Sequence, residues 1–501
     1  MAENITPPPT ADVADLPLGP TGRSIIVLRP GARSTSIKAI RSAGLKVAST
    51  ADFEDAVVSD AELGGADALV LENLDIAIVD ANVDQVRMME AAADDTENPI
   101  LSVEPEMYVI PFGDQPGNED DDDSTLDLVT TSGYEYLRGY GDAVQSLLAR
   151  LLAGERSALA DEPGSSVATT FVDTAALTWG LQATKVDKSK CGGNGIRVAV
   201  LDTGFDLQHP DFAGRSIVSA SFVPGESVQD GHSHGTHCIG TACGPLTPAG
   251  GGRRYGIAHQ ATILVGKVLS NSGSGQQGWI LAGINWAIQN NAVVISMSLG
   301  SPVQVGGTFS PAYEQAALAA LNKSCLIVAA AGNSGQHAQY FPVGSPANCP
   351  SVMAVAAVDN SLQRAAFSCI AANPNGGEVN IAGPGVGVYS SVPIPTRYGS
   401  KSGTSMATPH VAGIAALWAQ WSGLRAMALW QKLESSALGI GQTPQNVGAG
   451  LGQAPSCIRV RPPIRPRPFP WPIRLPQPIL PHPPFPLPDP PPIIPNLPPR
   501  R

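Results

Sequence analysis

Three short motifs carry residue types that together can perform nucleophilic catalysis. Ser405 lies in Gly403–Ala407, just before an apolar stretch, 411–419, that predicts a helix. His234 opens His234–His237, and Asp202 follows the apolar run 197–201. A serine hydroxyl becomes an effective nucleophile when an imidazole accepts its proton and a carboxylate orients that imidazole. The three motifs therefore predict an acyl-transfer site, provided that the fold brings them together.

Each motif also has a simpler interpretation. Serine at a helix start is a favoured N-cap, although the same position favours negative charge on a bound oxygen. Asp230, His232, His234 and His237 could be taken for a metal cluster, but they lack the helical His-Glu-x-x-His spacing. No metal site is predicted.

The elements that must position these residues alternate between strand and helix after residue 170. Apolar runs predict buried strands at 197–201, 263–268, 293–297, 326–330 and 352–355, and helices are predicted at 234–242, 277–289 and 311–322. This alternation predicts a parallel sheet covered by helices on both faces. Sites in such α/β sheets gather at the carboxyl ends of strands, where Asp202 lies.

The chain order Asp, His, Ser separates this set from α/β-hydrolases and from the chymotrypsin class. Asp202-Thr203-Gly204, His234-Gly235-Thr236-His237 and Gly403-Thr404-Ser405-Met406-Ala407 resemble the motifs of subtilisin-like serine proteases, over roughly 178–437. The resemblance implies Ser405 as nucleophile, His234 as general base and then acid, and Asp202 as the orienting carboxylate. It also implies Asn333, in Ala330-Ala331-Gly332-Asn333, as an oxyanion donor beside the Ser405 N–H.

The same resemblance implies a peptide-binding groove. Its edges would be Ser298, Leu299 and Gly300 on one side and Gly273 and Gly275 on the other, which would add an extended substrate as a strand. The S1 pocket would lie between the first edge and Ala330, Ala331 and Gly332, with Gly344 at its floor. Small walls predict broad cleavage after large apolar residues.

An N-terminal α+β unit is predicted over 22–112. Strands at 25–28, 68–71, 76–79 and 108–110 with helices at 36–43 and 84–93 suggest a ferredoxin-like sandwich. Subtilisin-like proteases commonly carry such a propeptide, which implies an intramolecular inhibitor and self-processing somewhere between Gly113 and Thr170.

The remaining segments differ in composition. Residues 1–21 are predicted to be disordered, 113–169 form an acidic linker with a helix near 134–152, 170–456 form the catalytic domain, and the Pro-rich tail 457–501 favours polyproline II or disorder. A net charge of −12 argues against a nucleic-acid partner, and no run is apolar enough to span a membrane. No signal peptide is visible, which leaves a cytoplasmic location or non-classical export open.

The sequence also raises the questions of disulfide pairing and of a calcium site. Cys325 and Cys349 precede two candidate neighbouring strands, so a disulfide between them is one hypothesis. Cys238 directly follows the His234–His237 motif, and a packed thiol is the simpler interpretation there. Asp211 resembles a calcium ligand of some subtilisin-like proteases, but 244–254 replaces the expected ligand loop with Gly, Pro and Arg, so no calcium or other cofactor is assigned.

Two functions from different classes follow. The first is a serine endopeptidase acting on polypeptides and made as a self-processed zymogen. The second is a catalytically silent scaffold that docks through its groove and Pro-rich tail. Because Asp202, His234, Asn333 and Ser405 are all present, the sequence favours the enzyme.

Overall fold

The computed structural model describes residues 19–52, 65–93, 95, 98–112 and 170–457. Residues 1–18 of the predicted disordered N-terminus, the acidic linker with its helix at 134–152, and almost all of the Pro-rich tail lie outside these residues. The predicted disorder is wrong at its end, because Pro20 and Thr21 already belong to the first strand, Pro20–Leu28. Residue contacts group Met1–Cys457 as one unit and Ile458–Arg501 as a second. No helix among the described residues is long and apolar enough to cross a membrane.

The N-terminal unit is a sheet with two helices. Its elements are β1 Pro20–Leu28, α1 Arg33–Ser42, β2 Val47–Ser49, β3 Ala68–Leu71, β4 Ile76–Val79, α2 Val83–Ala93 and β5 Ile100–Pro111. The strand order is β5-β1-β4-β3-β2. β1 is antiparallel to β4 and β5, and β3 is antiparallel to β4, which is the arrangement of a ferredoxin-like sheet with β2 added at one edge.

A second sheet organises residues 170–457. The chain forms strands β6 Arg197–Asp202, β7 Ile217–Ser221, β8 Thr262–Lys267, β9 Gly275–Gln276, β10 Val294–Met297, β11 Leu299–Gly300, β12 Leu326–Ala330, β13 Met353–Val358, β14 Ile381–Pro384, β15 Val388–Ser391 and β16 Tyr398–Lys401. Its helices are α3 Trp179–Ala183, α4 His234–Cys243, α5 Gln277–Gln289, α6 Pro311–Asn322, α7 Thr404–Ser422, α8 Ala426–Ser436 and α9 Pro444–Val447. Seven strands pair in parallel in the order β14-β13-β12-β10-β6-β8-β7.

Helices cover both faces of this sheet, as predicted. One buried apolar cluster joins its strands to α5 and α6, and a second joins them to α4, α7 and α8. The first cluster also contains Ile25, Leu71 and Ile76 from the N-terminal sheet. One face of the N-terminal sheet therefore packs on the helices of the larger sheet, and the α/β fold class is confirmed.

Strand β5 also joins the two parts through backbone pairing. Tyr108 and Val109 pair antiparallel with β9, while Ile110 and Pro111 pair with β11. The end of the N-terminal unit thus lies as an extended strand between two edges of the larger part.

The predicted disulfide between Cys325 and Cys349 is wrong. Both thiols are buried and free, and the Cys349 Sγ lies 3.8 Å from the Ser310 carbonyl oxygen. The disulfide joins Cys191 to Cys457, which are 266 residues apart in sequence. Cys457, which the sequence assigned to the tail, is therefore tied covalently to the α/β part.

Candidate functional site

Asp202 and His234 are brought together by the sheet and by the start of α4. Asp202 is the last residue of β6, and its Oδ1 accepts a hydrogen bond of 2.7 Å from His234 Nδ1. Both side chains are buried, and the Thr203 N–H also donates to Asp202 Oδ1 at 2.7 Å. This contact places the imidazole proton on Nδ1 and leaves Nε2 able to accept one.

The environment of His234 favours the imidazolium form. Burial by itself lowers the His234 pKa, but Asp202 and, to a smaller extent, Cys238 together outweigh that effect and raise the pKa well above the usual value. An imidazole held in this way is stabilised once it has taken a proton, as a general base requires.

Ser405 lies in the first turn of α7, and its hydroxyl does not bond His234 in this state. Ser405 Oγ donates to the Ser298 carbonyl at 3.0 Å. His234 Nε2 is buried and has no hydrogen-bond partner among the described residues. A rotation of the Ser405 side chain toward Nε2 would be needed before proton transfer.

The Phe112 carbonyl oxygen occupies the position expected for an oxyanion. It accepts from Asn333 Nδ2 at 2.8 Å and from the Ser405 N–H at 3.3 Å. Asn333 Oδ1 in turn accepts from the Thr404 N–H and Oγ1, both at 2.9 Å. Two donors therefore converge on one carbonyl at the end of β5, which is the geometry that stabilises a tetrahedral intermediate.

The predicted groove residues lie along the strand that ends at Phe112. Leu299 and Gly300 form β11, Gly275 lies in β9, and the Ser298 carbonyl accepts from the Phe112 N–H at 3.2 Å. A Cβ at Gly300 would lie 2.5 Å from Phe112 Cε2, so the ring needs a glycine at this wall.

The other predicted pocket residues differ in how close they lie to the Phe112 ring. Gly344 faces the Phe112 ring, and its N–H donates to the Ala331 carbonyl at 2.9 Å. The Gly332 N–H donates to Thr404 Oγ1 at 3.1 Å, and Ala330 ends β12. Gly273 is placed differently, in a turn where a Cβ would meet His232 Nε2 at 2.8 Å.

Sequence reasoning missed Phe112 and Thr404 as members of the site. Phe112 directly follows the predicted strand 108–110, and Thr404 precedes Ser405, so both positions were visible. Neither residue type signals a role without the strand pairing and the Asn333 contact, which only the fold supplies.

Two places could be considered for a cation. Asp202, His234 and Cys238 offer ligand atoms within 4.8 Å of one another. Burial raises the pKa of the Cys238 thiol, which favours its neutral form over the thiolate that binds metals. This set therefore fits a hydrogen-bonded cluster better than a metal centre.

At Asp211, protein donors occupy the carboxylate. It accepts from the Ala249 N–H at 2.7 Å, from the Tyr255 hydroxyl at 2.5 Å and from the Tyr398 hydroxyl at 3.1 Å. Two tyrosine hydroxyls thus donate to the Asp211 carboxylate, which resembled a calcium ligand in the sequence. These contacts fit a polar network and give no ground for assigning calcium there.

The fold and the site define an α/β protein with a Ser, His and Asp cluster at the carboxyl ends of a parallel sheet. The profile of the subtilase family, peptidase S8, matches residues 193–450, and the chain belongs to that family.

Curated relatives agree with the family assignment. The chain is 46% identical over 227 residues to subtilisin NAT of Bacillus subtilis subsp. natto, which covers 45% of this chain and 55% of that protein. It is 45% identical over 227 residues to a Bacillus pumilus subtilisin, covering 45% and 77%, and 40% identical over 265 residues to subtilisin DY of Bacillus licheniformis, covering 52% and 91%. The chain thus spans about half the length of the first of these relatives.

Proposed function

We propose that this protein is a serine endopeptidase that cleaves polypeptides through an acyl-enzyme. Ser405 Oγ attacks the scissile carbonyl, His234 Nε2 takes its proton and later donates it to the leaving amine, and Asp202 holds the imidazole. The contact that carries this proposal is the hydrogen bond of 2.7 Å between His234 Nδ1 and Asp202 Oδ1 beside Ser405. Asn333 and the Ser405 N–H would stabilise the oxyanion, a task for which one side-chain amide is worth about 2.7–4 kcal/mol in a subtilisin.

The N-terminal unit is proposed to be the enzyme's own inhibitor. β5 pairs with β9 and β11 as an added strand, the mode by which an extended peptide binds an exposed edge. Its Phe112 carbonyl bonds the same two donors that an acyl intermediate would use. This placement supports the Phe112–Gly113 bond, at the start of the predicted range, as the bond cut in self-processing.

The pocket that holds Phe112 supports a preference for large apolar P1 residues. Gly300 and Gly344 face the ring, and no charged residue is among the walls that the sequence predicted for this pocket. A basic P1 side chain would find no carboxylate partner on those walls.

A serine-reactive fluorophosphonate probe tests the endopeptidase. Processed wild type should be labelled and should cleave denatured protein, whereas Ser405→Ala should lose both properties and accumulate as the full-length chain. No labelling of the processed wild type would contradict the enzyme and favour the silent scaffold.

The maturation site can be tested in the same preparation. The N-terminus of processed wild type should begin at Gly113, and Phe112→Asp should process more slowly than Phe112→Leu because its charge enters an apolar pocket. A new N-terminus elsewhere, or equal processing of the two variants, would contradict this assignment while leaving the endopeptidase proposal standing. The scaffold alternative is not favoured, because the relatives are subtilisins.

A further inference from the structure

A buried lysine lies at the end of β8, beside the strand that carries Asp202. Lys267 is the last residue of β8 and pairs in register with Asp202, the last residue of β6. Its side chain is completely buried, and a charge removed from water is costly unless it is paired and hydrogen-bonded. The partners of Lys267 therefore indicate which segments it holds together.

Three oxygen atoms, on three separate segments of the chain, surround Lys267 Nζ. The Lys267 side chain donates to the Thr203 carbonyl at 2.5 Å and to Asn271 Oδ1 at 2.9 Å. It also lies 3.2 Å from Glu226 Oε2, between β7 and α4. An ammonium group has three donors, so these acceptors saturate it. Lys267 thus ties the residue after Asp202 to two loops of the larger part.

Asn271 extends this contact to the loop that leads to His234. The oxygen that accepts from Lys267 also accepts from the Gly231 N–H at 2.9 Å. The Asn271 N–H donates to Glu226 Oε2, likewise at 2.9 Å. A Cβ at Gly231 would lie 2.6 Å from the Asn271 side chain, so the two loops are in close contact. One amide oxygen is therefore shared between the buried lysine and the approach to the general base.

The loop that contains Asn271 leads directly into one substrate edge. Residues 270–274 are closed by a hydrogen bond of 2.7 Å from the first N–H to the last carbonyl, and β9 begins at the next residue. β9 pairs with Tyr108 and Val109, which precede Phe112 by four and three residues. Movement of this loop would therefore displace the edge that binds the part of a substrate farthest from the scissile bond.

Resting on the proposed endopeptidase, we propose that Lys267 is a positioning residue that acts through Asn271 to hold β9 in place relative to the reacting groups. Without its ammonium group, the loop 270–274 loses its link to β6. Substrates long enough to reach β9 lose the most binding, whereas shorter ones pair with β11 and use the oxyanion donors alone. The enzyme's preference for long substrates therefore depends on Lys267.

The test compares two quenched peptides that have the same residues after the scissile bond. Before that bond, the long peptide carries Tyr-Val-Ile-Pro-Phe, the chain's own residues 108–112, and the short one carries Ile-Pro-Phe. The short peptide keeps the residues that pair with β11 and lacks those that pair with β9. Wild type, obtained by self-processing of the full-length chain, should cleave the long peptide roughly tenfold faster in kcat/KM, as expected for about two net hydrogen bonds.

Two variants measure the contribution of the lysine and of its route. Lys267→Met should reduce the long-to-short ratio about three- to fivefold, mainly through a higher KM for the long peptide. Asn271→Ala changes an exposed residue, so folding should be retained, and it should reduce the ratio to a similar extent. The double variant should lose no more than Lys267→Met alone, because both changes break one contact.

Matched controls change the same residue types elsewhere. Asn322→Ala and Lys323→Met lie at the exposed end of α6 and should keep the wild-type ratio. Each ratio compares two substrates of one variant, so the fraction of active enzyme cancels.

The outcomes distinguish the two proposals. A wild-type ratio in both Lys267→Met and Asn271→Ala, or losses that add in the double variant, would overturn the positioning role and leave the endopeptidase intact. If Lys267→Met does not fold, a wild-type ratio in Asn271→Ala alone overturns the role. No turnover of either peptide by wild type would overturn both proposals.

Discussion

Asn333 can donate to an oxyanion only if its amide nitrogen faces the substrate. Thr404 fixes that orientation, because its N–H and hydroxyl both donate to Asn333 Oδ1 and leave Nδ2 directed at the Phe112 carbonyl. The Thr404 hydroxyl also accepts from the Gly332 N–H. Thr404 is thus a positioning residue that acts through Asn333.

We predict that Thr404→Val lowers kcat about three- to tenfold with little change in KM, since a net hydrogen bond is worth about 0.5–1.5 kcal/mol. Steady-state kinetics on a peptide with Phe at P1 would measure this. Thr404→Ser keeps the hydroxyl and should stay close to wild type. If the Ser and Val variants were equally impaired, packing of the methyl group and not amide orientation would explain the effect.

At the same scale, Asp202 should set the acidic limit of activity. Since Asp202 raises the His234 pKa and catalysis needs the neutral imidazole, activity is lost as pH falls through that pKa. Asp202→Asn should move the acidic limb of kcat/KM to lower pH, with kcat reduced on the order of 10⁴-fold, as for the same change in a well-studied Ser-His-Asp triad. A pH profile checks both effects, and an unmoved acidic limb would contradict the assigned cause of the shift.

Among elements, β5 presents two carboxylates to the starts of two helices. Glu106 is fully buried, accepts from the Gly278 N–H at 2.9 Å near the start of α5, and pairs with Arg23. Glu104 accepts from Ser310 Oγ at 2.6 Å before α6 and from Gln277 Nε2 at 2.8 Å. Negative charge is favoured at helix N-termini, so one strand meets two positive helix ends.

Glu104 should make association of the N-terminal unit depend on pH. Burial raises the Glu104 pKa, so the associated state binds this proton more readily than the separated one. The Glu104 contribution to association is therefore present below the usual value of 4.5 and is lost as pH rises through the raised pKa. Binding of the released unit to processed enzyme should tighten on acidification through this window.

Glu104→Gln should remove that part of the pH dependence, and Glu90→Gln on the exposed face of α2 should leave it unchanged. Titration by fluorescence at several pH values would measure the dissociation constants. Identical pH curves for wild type and Glu104→Gln would show that Glu104 does not carry the effect.

The sequence predicted most elements that have a strong apolar pattern. Helices 277–289 and 311–322 and strands 68–71, 76–79 and 326–330 have the predicted bounds. The full length of β5 escaped prediction because Ser102, Glu104 and Glu106 interrupt its apolar pattern. The carboxylates of Glu104 and Glu106 accept hydrogen bonds at the starts of α5 and α6. These contacts depend on the tertiary structure, so the local sequence could not reveal them.

The residue types of the site, but not all of their contacts, could be predicted from the sequence. Motif spacing put Asp202, His234 and Ser405 in one cluster, and the structure brings them to the same end of the sheet. The contact of the Phe112 carbonyl with Asn333 could not be predicted, since it depends on pairing between segments more than 150 residues apart. The Thr404 contact could not be predicted either, because only the fold brings Thr404 to Asn333, 71 residues away in sequence.

For the whole molecule, the Cys191–Cys457 bond closes a loop that contains all seven strands of the larger sheet. Cys457→Ser should lower the free energy of unfolding by about 2–4 kcal/mol, because cross-links restrict the unfolded chain. Urea unfolding of the Ser405→Ala chain, which avoids self-digestion, would measure the loss. Dithiothreitol should reproduce it without mutation, and an unchanged midpoint in both experiments would contradict the prediction.

The same disulfide determines how force on the chain beyond Cys457, or its proteolytic removal, affects the α/β part. Force applied beyond residue 457 would be transmitted through the disulfide to Cys191. It would not load the hydrogen bonds that Gln453 makes with Ala183 and Trp418, which hold the last residues before Cys457. Proteolysis anywhere after residue 457 would likewise leave the Cys191–Cys457 disulfide intact. The Cys191–Cys457 bond thus anchors the end of the described α/β part whatever happens to the chain beyond residue 457.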